Sequence, residues 1–447
     1  MSPKETSDFH SFDKLRTGSR PLCGRGKGLG SSKRYPLTLS LSPTKTWWRG
    51  KSCFRLRAGG FSKGANLARY AAPLHYARPM AINKIAVLGA GNGGCAAAAD
   101  LTLRGYEVRL FSRSQNTLMP VMKSGGITLV EAGQEKFAAP FFVSPHLPPV
   151  INGVDLIIIA APAVAHEYLA QSMARYLLDG QRILLNPGHT GGSLHFANTL
   201  RHAGLAAKIH LCETVTLTYI CRMPQPARVE IYRRTTHLRC AAFPGKETEA
   251  LVKEISEIYP NIVPAENVLE TGFSNINAIM HPAGMLGNAG WIEKTGGDFY
   301  FYGEGITPTI AAWIEEVDEE RLEIVNRLGL KPLRFIDIFY QAGLTSVDAR
   351  ASGSVYRAIS ESEPNRTIKS PSTLDHRYIK EDVGYGLVPM AEIGKLMGVK
   401  TPVIDALITL ASVASGANYR DEGLTLEKMG LGGVQPNDLA NILQNGF

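Results

Sequence analysis

The stretch KIAVLGAGNGGCAAAADLTLRGYEVRLFSRS, residues 84–114, carries three local signals in succession. Residues 84–88 are almost all apolar, as in a strand buried on both faces of a parallel sheet. Gly89, Gly91 and Gly94 follow in G-x-G-x-x-G spacing, an alanine-rich helix is expected from about Asn92 to Gly105, and 107–111 reads as a second strand. Each glycine has its own reason in such a unit: the first permits the tight turn, the second lets backbone approach a pyrophosphate, and the third lets helix pack on strand. The helix, opened by Asn92, aims its free N–H groups and the positive end of its dipole at the phosphates. Alone the motif is weak, and a glycine turn that merely packs is the bland alternative. Set between a strand and a helix it reads as a dinucleotide site.

An acidic residue about 20 positions on would hold the ribose 2′-hydroxyl of NAD. This chain has Ser112, Arg113 and Ser114 at that place. A guanidinium suits a 2′-phosphate, so NADP(H) is the preferred cofactor, with NAD(H) also admitted if Arg113 only stacks on the adenine.

The 447 residues suggest two or three domains, and 44% hydrophobic content is enough for sizeable cores. The formal charge of +8 is unevenly placed: residues 1–79 hold 16 basic and 3 acidic residues, while the rest hold 32 and 37. The basicity therefore belongs to the front segment and gives no reason to expect nucleic-acid binding. Six scattered cysteines with no C-x-x-C pair and no metal-ligand spacing fit free thiols in a reducing cytoplasm. No apolar run reaches the roughly 18 residues of a membrane span.

Residues 1–79 are rich in Arg, Ser and Gly, without a secretory apolar core. HSFDKLRTGSR and YPLTLSLSP resemble translated repetitive intergenic DNA, and Met80 lies four residues before the first strand. The expectation is a disordered extension ahead of a true start at Met80.

From 80 to 265 the pattern is doubly wound α/β. Strands are expected at 126–131 and 136–143, joined around Gly133, and at 155–160, 182–185, 229–232 and 238–243. Helices are expected at 163–177 and 246–258. The loop NPGHTGG, 186–192, falls at the carboxyl edge of the sheet, where open α/β sheets bind ligands. Its His189 and Thr190 are candidate substrate contacts, against the bland reading of an ordinary glycine turn. His166, on a helix face, reads as structural.

From 266 to 447 the period is helical. Thr307 and Pro308 mark a helix start, with the helix running to about Arg327 and stopped by Gly329. Further helices are expected at 335–342, 347–360, 388–397 and 403–414, and a cleft between the halves would take a small molecule. FSNINAIMHPAGMLGNAGW places His281 on an amphipathic helix with Pro282 directly after it, which kinks the turn and could present the imidazole into the cleft. A satisfied core histidine is the ordinary alternative. STLDHRYIKEDVGYGLVP reads as a polar, glycine-punctuated loop, in which Arg377 and Asp382 matter only if they face His281.

NPGHTGG, ETVTLTYICR, NAIMHPAGMLGNAG, FYFYGEGITPTIAAWIEEVDEERLEI and RYIKEDVGYGLVPMA together resemble the opine dehydrogenases of the octopine and nopaline type. The resemblance covers both halves from about Ala81. It implies a Rossmann-type sheet followed by an all-helical domain. It also implies NAD(P)H-dependent condensation of a 2-oxo acid with the amino group of an amino acid, giving an N-(1-carboxyalkyl) amino acid. On that resemblance His281 is the catalytic histidine, Asp382 its partner, Arg377 the group that takes the oxo-acid carboxylate, and Gly89, Gly91 and Gly94 the cofactor turn. The chain departs from the family pattern at His189, where arginine is common, and at Gly384, where proline is common. The residue chemistry agrees: histidine transfers protons near neutrality, and arginine's planar fork holds a carboxylate by two bonds. A homodimer through the helical domain is compatible. The rivals are a 2-dehydropantoate reductase or glycerol-phosphate dehydrogenase, for which a lysine general acid would be expected, and a non-catalytic NADP(H)-binding sensor.

Overall fold

The computed structural model describes residues 82–447. The basic front segment and the expected start at Met80 lie outside the described residues. Twelve strands occur among the described residues: β1 (Lys84–Leu88), β2 (Glu107–Phe111), β3 (Ile127–Glu131), β4 (Gln134–Ala138), β5 (Phe142–Ser144), β6 (Leu156–Ile159), β7 (Arg182–Leu185), β8 (His210–Thr214), β9 (Tyr219–Gln225), β10 (Arg228–Arg234), β11 (Leu238–Phe243) and β12 (Ile262–Pro264). Eight build the main sheet in the order β12-β11-β8-β7-β6-β1-β2-β5. β1 lies between β6 and β2, parallel to both, third from the β5 edge, so its end opens inside the sheet. Only the β8–β11 pairing in this sheet is antiparallel.

The strands expected to continue that sheet divide between two. β3 and β4 pair as a hairpin around Gly133, and β3 then takes β10 in parallel, with β9 beyond, as a separate four-stranded sheet. The expected strand at 136–143 is cut at Pro140, which has no N–H for a ladder, and β5 returns to the edge of the main sheet. The second sheet explains the alanines. The helix Asn92–Leu103 packs into one core with residues of both sheets, and Ala96–Ala99 are all 3% exposed or less, so only small side chains let the layers approach. A helix at Gln115–Ser124 was not expected. Pro120 lies inside it, a residue that normally marks a break, while Ser114 caps it by accepting from Thr117 N–H.

Beyond β12 the chain is helical. Thr307 accepts from Ile310 N–H and Pro308 opens the helix Pro308–Arg327, as its sequence predicts. The helix expected at 347–360 is two, Val347–Ala351 and Val355–Ser360, parted at Gly353 with φ +68°. The supposed loop around 377–387 is also helical: Arg377–Asp382 runs into a π-helical turn, Val383–Leu387, and on into Val388–Leu396. Gly386 is what that helix needs. A Cβ there would stand 2.4 Å from the Cβ of Ala278, so the missing side chain lets it lie directly on the helix Ile276–Gly287. Gly384, where the family commonly has proline, belongs to the same buried turn. No helix of the described residues is long and apolar enough to cross a membrane.

Candidate active site

The glycine turn sits where β1 ends. Gly89 has φ +119°, and a Cβ on it would come 2.4 Å from the carbonyl oxygen of Ala160. A Cβ on Gly94 would come 1.8 Å from the carbonyl oxygen of Gly89, so the first and third glycines serve close packing. Gly91 is different: a Cβ on it would meet nothing within 4 Å. It borders a cavity of about 460 Å³, enclosed by the loops after β1, β6, β7 and β8 and by the helical half. The helix that Gly91 opens has no side-chain cap and no acidic residue in its first turn, so its N-terminal N–H groups are available to an anion. These residues fit a dinucleotide pyrophosphate. Asn92 lines the cavity as well, and its Oδ1 accepts from Met223 N–H at 3.0 Å, pinning β9 beside the turn.

Ser112 and Arg113 follow β2, the strand beside β1, and neither lines that cavity. Arg113 is exposed, with its guanidinium 5.1 Å from the centre of the Tyr168 ring.

His281 lies on the helix Ile276–Gly287, which runs through Pro282. Its Nδ1 is 2.8 Å from Oδ2 of Asp382. A carboxylate only accepts, so Nδ1 carries the hydrogen and Nε2 is left for other work. Nε2 lies 3.0 Å from the hydroxyl of Tyr302, which is 3.3 Å from that of Tyr378, and the Tyr378 ring stacks on the imidazole at 3.6 Å. The imidazole is therefore not presented into the cavity as expected. It is 4% exposed, covered by two tyrosines, one helical turn beyond Asn277, which does line the cavity. Burial holds the Tyr302 phenol well above its ordinary pKa, so it stays protonated.

Arg377 opens the helix that ends in Asp382, lines the cavity, and is paired with Glu381 at 2.5 Å. Neighbouring residues on a helix point about 100° apart. Asp382 therefore meets His281 while Glu381 turns toward the sheet. Glu381 accepts from Ala163 N–H after β6 at 2.7 Å and stands 3.1 Å from Nε2 of His189 after β7. Burial alone would push the Glu381 pKa up, but His189, Arg377 and the Ala163 N–H together hold it far below the carboxylate range. Burial likewise opposes charge on His189, and the Glu381 carboxylate overrides it and raises that pKa above 6.5. Sequence reasoning missed Glu381 altogether.

The loop 186–192 turns out to be a bracket more than a ligand loop. Asn186 bonds Thr218 through both ends of its amide. Thr190 is fully buried and donates to the carbonyl of Gly272 at 3.0 Å, so it does not stand at the cavity as a substrate contact. His189 borders the cavity but is held by Glu381. Behind the loop the buried Glu213 accepts from Ser193 N–H at 2.9 Å and from the Thr271 hydroxyl, and burial pushes its pKa up to about 7. His166 is buried near His189, and burial takes its pKa down to about 3, so it stays neutral.

Comparison with known proteins follows the same division of the chain. Residues 264–415 match the family model described as NAD/NADP octopine/nopaline dehydrogenase, alpha-helical domain, and residues 85–186 match that of ketopantoate reductase PanE/ApbA. An opine dehydrogenase from Arthrobacter sp. (strain 1C) is 35% identical over 349 residues, which cover 78% of this chain and 95% of that protein. A solved octopine dehydrogenase in complex with NADH and agmatine superposes with a TM-score of 0.67 at 20% identity, covering 80% of this chain and 98% of its own. A yersinopine dehydrogenase with NADP+ bound gives 0.64 at 16% identity, over 82% and 98%. Helical half, dinucleotide half and overall likeness agree: the chain belongs to the opine dehydrogenase family of oxidoreductases.

Proposed function

We propose that the protein condenses a 2-oxo acid with the amino group of an amino acid and reduces the product to an N-(1-carboxyalkyl) amino acid. The observation that carries this reading is the His281–Asp382 pair, 2.8 Å apart, in which Asp382 shares its short helix with the cavity-facing Arg377. Arg377 takes the oxo-acid carboxylate in its planar fork, which fixes the direction in which the carbonyl carbon faces. The amine adds to that carbon, water leaves, and the resulting C=N carbon is the one reduced. The glycine turn and the helix after it would hold the pyrophosphate of a reduced nicotinamide coenzyme, which would supply the hydride when bound. The overall reaction takes up one proton, and His281 delivers it, with Asp382 holding the tautomer and ring in place. Tyr302 stands at Nε2, so the proton travels by way of its hydroxyl, which accepts from the imidazole and donates onward. Glu381 keeps Arg377 aligned and ties it to the loops after β6 and β7.

NADPH is the preferred coenzyme in this reading. The residues after β2 offer Arg113, Ser112 and Ser114 to a 2′-phosphate and no carboxylate to a 2′-hydroxyl. The unpaired thiols of Cys212 and Cys240, on neighbouring strands, support a reducing, cytoplasmic setting.

The match of residues 85–186 to ketopantoate reductases favours a second reading, reduction of an oxo acid without an amine. That chemistry would be expected to use a lysine acid, and none of the described residues lining the cavity is a lysine. A matrix of 2-oxo acids against amino acids, followed by NADPH absorbance and repeated with NADH, tests the two. Oxidation that needs both partners supports condensation. Oxidation with an oxo acid alone contradicts it.

A further inference from the structure

None of the described residues lining the 460 Å³ cavity is an aspartate or a glutamate, yet three arginines reach it: Arg222, Arg239 and Arg377. Two of the three are already matched from behind the wall. Arg239 donates to Glu270 at 2.7 Å and to the Ser274 hydroxyl at 2.8 Å, and Arg377 is paired with Glu381 at 2.5 Å. Arg222 is not. It lies in β9, which the Asn92–Met223 bond fixes beside the glycine turn, and its side chain gives one N–H to the carbonyl of Cys221 at 3.1 Å. Glu230 is its cross-strand neighbour in β10, but among the described residues no carboxylate comes within ion-pair distance of it. Its side chain is exposed and lines the same cavity as Arg377. The rest of the wall is mixed: amides and hydroxyls such as Asn277, Gln341 and Thr216 alternate with apolar residues, Leu217 and Ile220 from the sheet half and Ile276, Ile338 and Leu344 from the helical half.

We infer that Arg222 holds the carboxylate of the amino acid, and that the amino acid this cavity takes has an uncharged, apolar side chain. The inference rests on the condensation reading, and it follows from the charge of that product. An N-(1-carboxyalkyl) amino acid carries two carboxylates. Arg377 accounts for the one that comes from the oxo acid, and the second needs its own cation, which the unmatched guanidinium of Arg222 provides. A lysine-, arginine- or agmatine-like side chain would enter among arginines with no carboxylate to meet it. Like charges placed together with no compensating partner are strongly disfavoured. An aliphatic side chain instead packs on the apolar part of the wall, such as Ile276, Ile338 and Leu344, and displaces water from it.

The test uses the full chain, with NADPH and one oxo acid held fixed. For the wild type, kcat/KM for L-leucine or L-methionine is expected to exceed that for L-arginine or L-lysine by about 100-fold. Comparable or better use of the cationic amino acids overturns the side-chain assignment while leaving condensation intact. Turnover with no amino acid at all overturns both. Arg222→Gln is expected to raise KM for leucine by about 30-fold, the scale of a lost charge-assisted hydrogen bond, with Arg222→Lys regaining a large part. KM for the oxo acid, NADPH affinity measured by its fluorescence without substrates, and the melting temperature are expected to stay near wild type. A leucine KM that does not move in Arg222→Gln, or a loss of NADPH affinity in its place, overturns the role given to Arg222.

Discussion

Glu381 stands 3.1 Å from Nε2 of His189, a carboxylate from the helical half and an imidazole from the loop after β7, both buried. The contact bears on pH. Glu381 has its pKa lowered from 4.5, so its share of stability is present above pH 4.5 and is lost as the pH falls through its folded value. His189 has its pKa raised from 6.5, so its share is present below pH 6.5 and is lost as the pH rises through its folded value. The pair therefore contributes most between those two ordinary values. Glu381→Gln is expected to destabilise by about 3 kcal/mol near pH 6, because it leaves His189 and Arg377 without their anion. Melting curves across pH check this, and the gap to wild type should narrow as the pH rises past the ordinary histidine value and through the raised one of His189. A gap that is constant with pH contradicts it.

Gly386 sets the distance between the two helices that bring His281 and Asp382 together. Gly386→Ala puts a Cβ 2.4 Å from that of Ala278 and is expected to push the helices apart, lowering kcat at least about tenfold while sparing NADPH binding. Ala278→Gly in the same chain removes the atom in the way and should restore most of the loss. Failure of that rescue would count against the packing account.

Tyr302 is assigned the proton's path from Nε2. Tyr302→Phe keeps the ring and removes the hydroxyl, and is expected to lower kcat by roughly 10–100-fold with KM values for both substrates within a few fold. If kcat is unchanged, His281 reaches its substrate without this hydroxyl.

Arg113→Ala is expected to raise KM for NADPH by about 10–100-fold and to leave KM for NADH nearly unchanged, since only a 2′-phosphate loses a charge-assisted partner. Equal effects on both coenzymes would mean that Arg113 acts on the adenine.

What was legible in the sequence follows from how local each signal is. The glycine turn, β1 and the helix after it lie in one short stretch, and strand, turn and helix each leave a mark there. The second sheet was not legible, because β3 finds β10 at a register that joins Thr128 to Arg228, and no local pattern announces such a pairing. The turn at 383–387 misled because glycines usually break helices, whereas here Gly386 serves a helix crossing. The approach of Asp382 to His281 was indicated by family resemblance alone, and nothing in the spacing of residues 101 apart requires it. Glu381 and Glu213 went unnoticed because a buried carboxylate and a surface one look alike in sequence. Thr190 looked available because loop hydroxyls usually are, and the carbonyl that takes its hydrogen belongs to a residue 82 positions away.

The central claim is that His281 and Asp382 act as one unit in moving the proton. A double-mutant cycle on kcat, with saturating NADPH and the best amino acid and oxo acid pair, tests it most directly. His281→Ala is expected to cost about 1,000-fold and Asp382→Asn about 100-fold, with the double variant no worse than His281→Ala alone. Losses that multiply in the double variant, or a His281→Ala enzyme that turns over like wild type, would contradict the account.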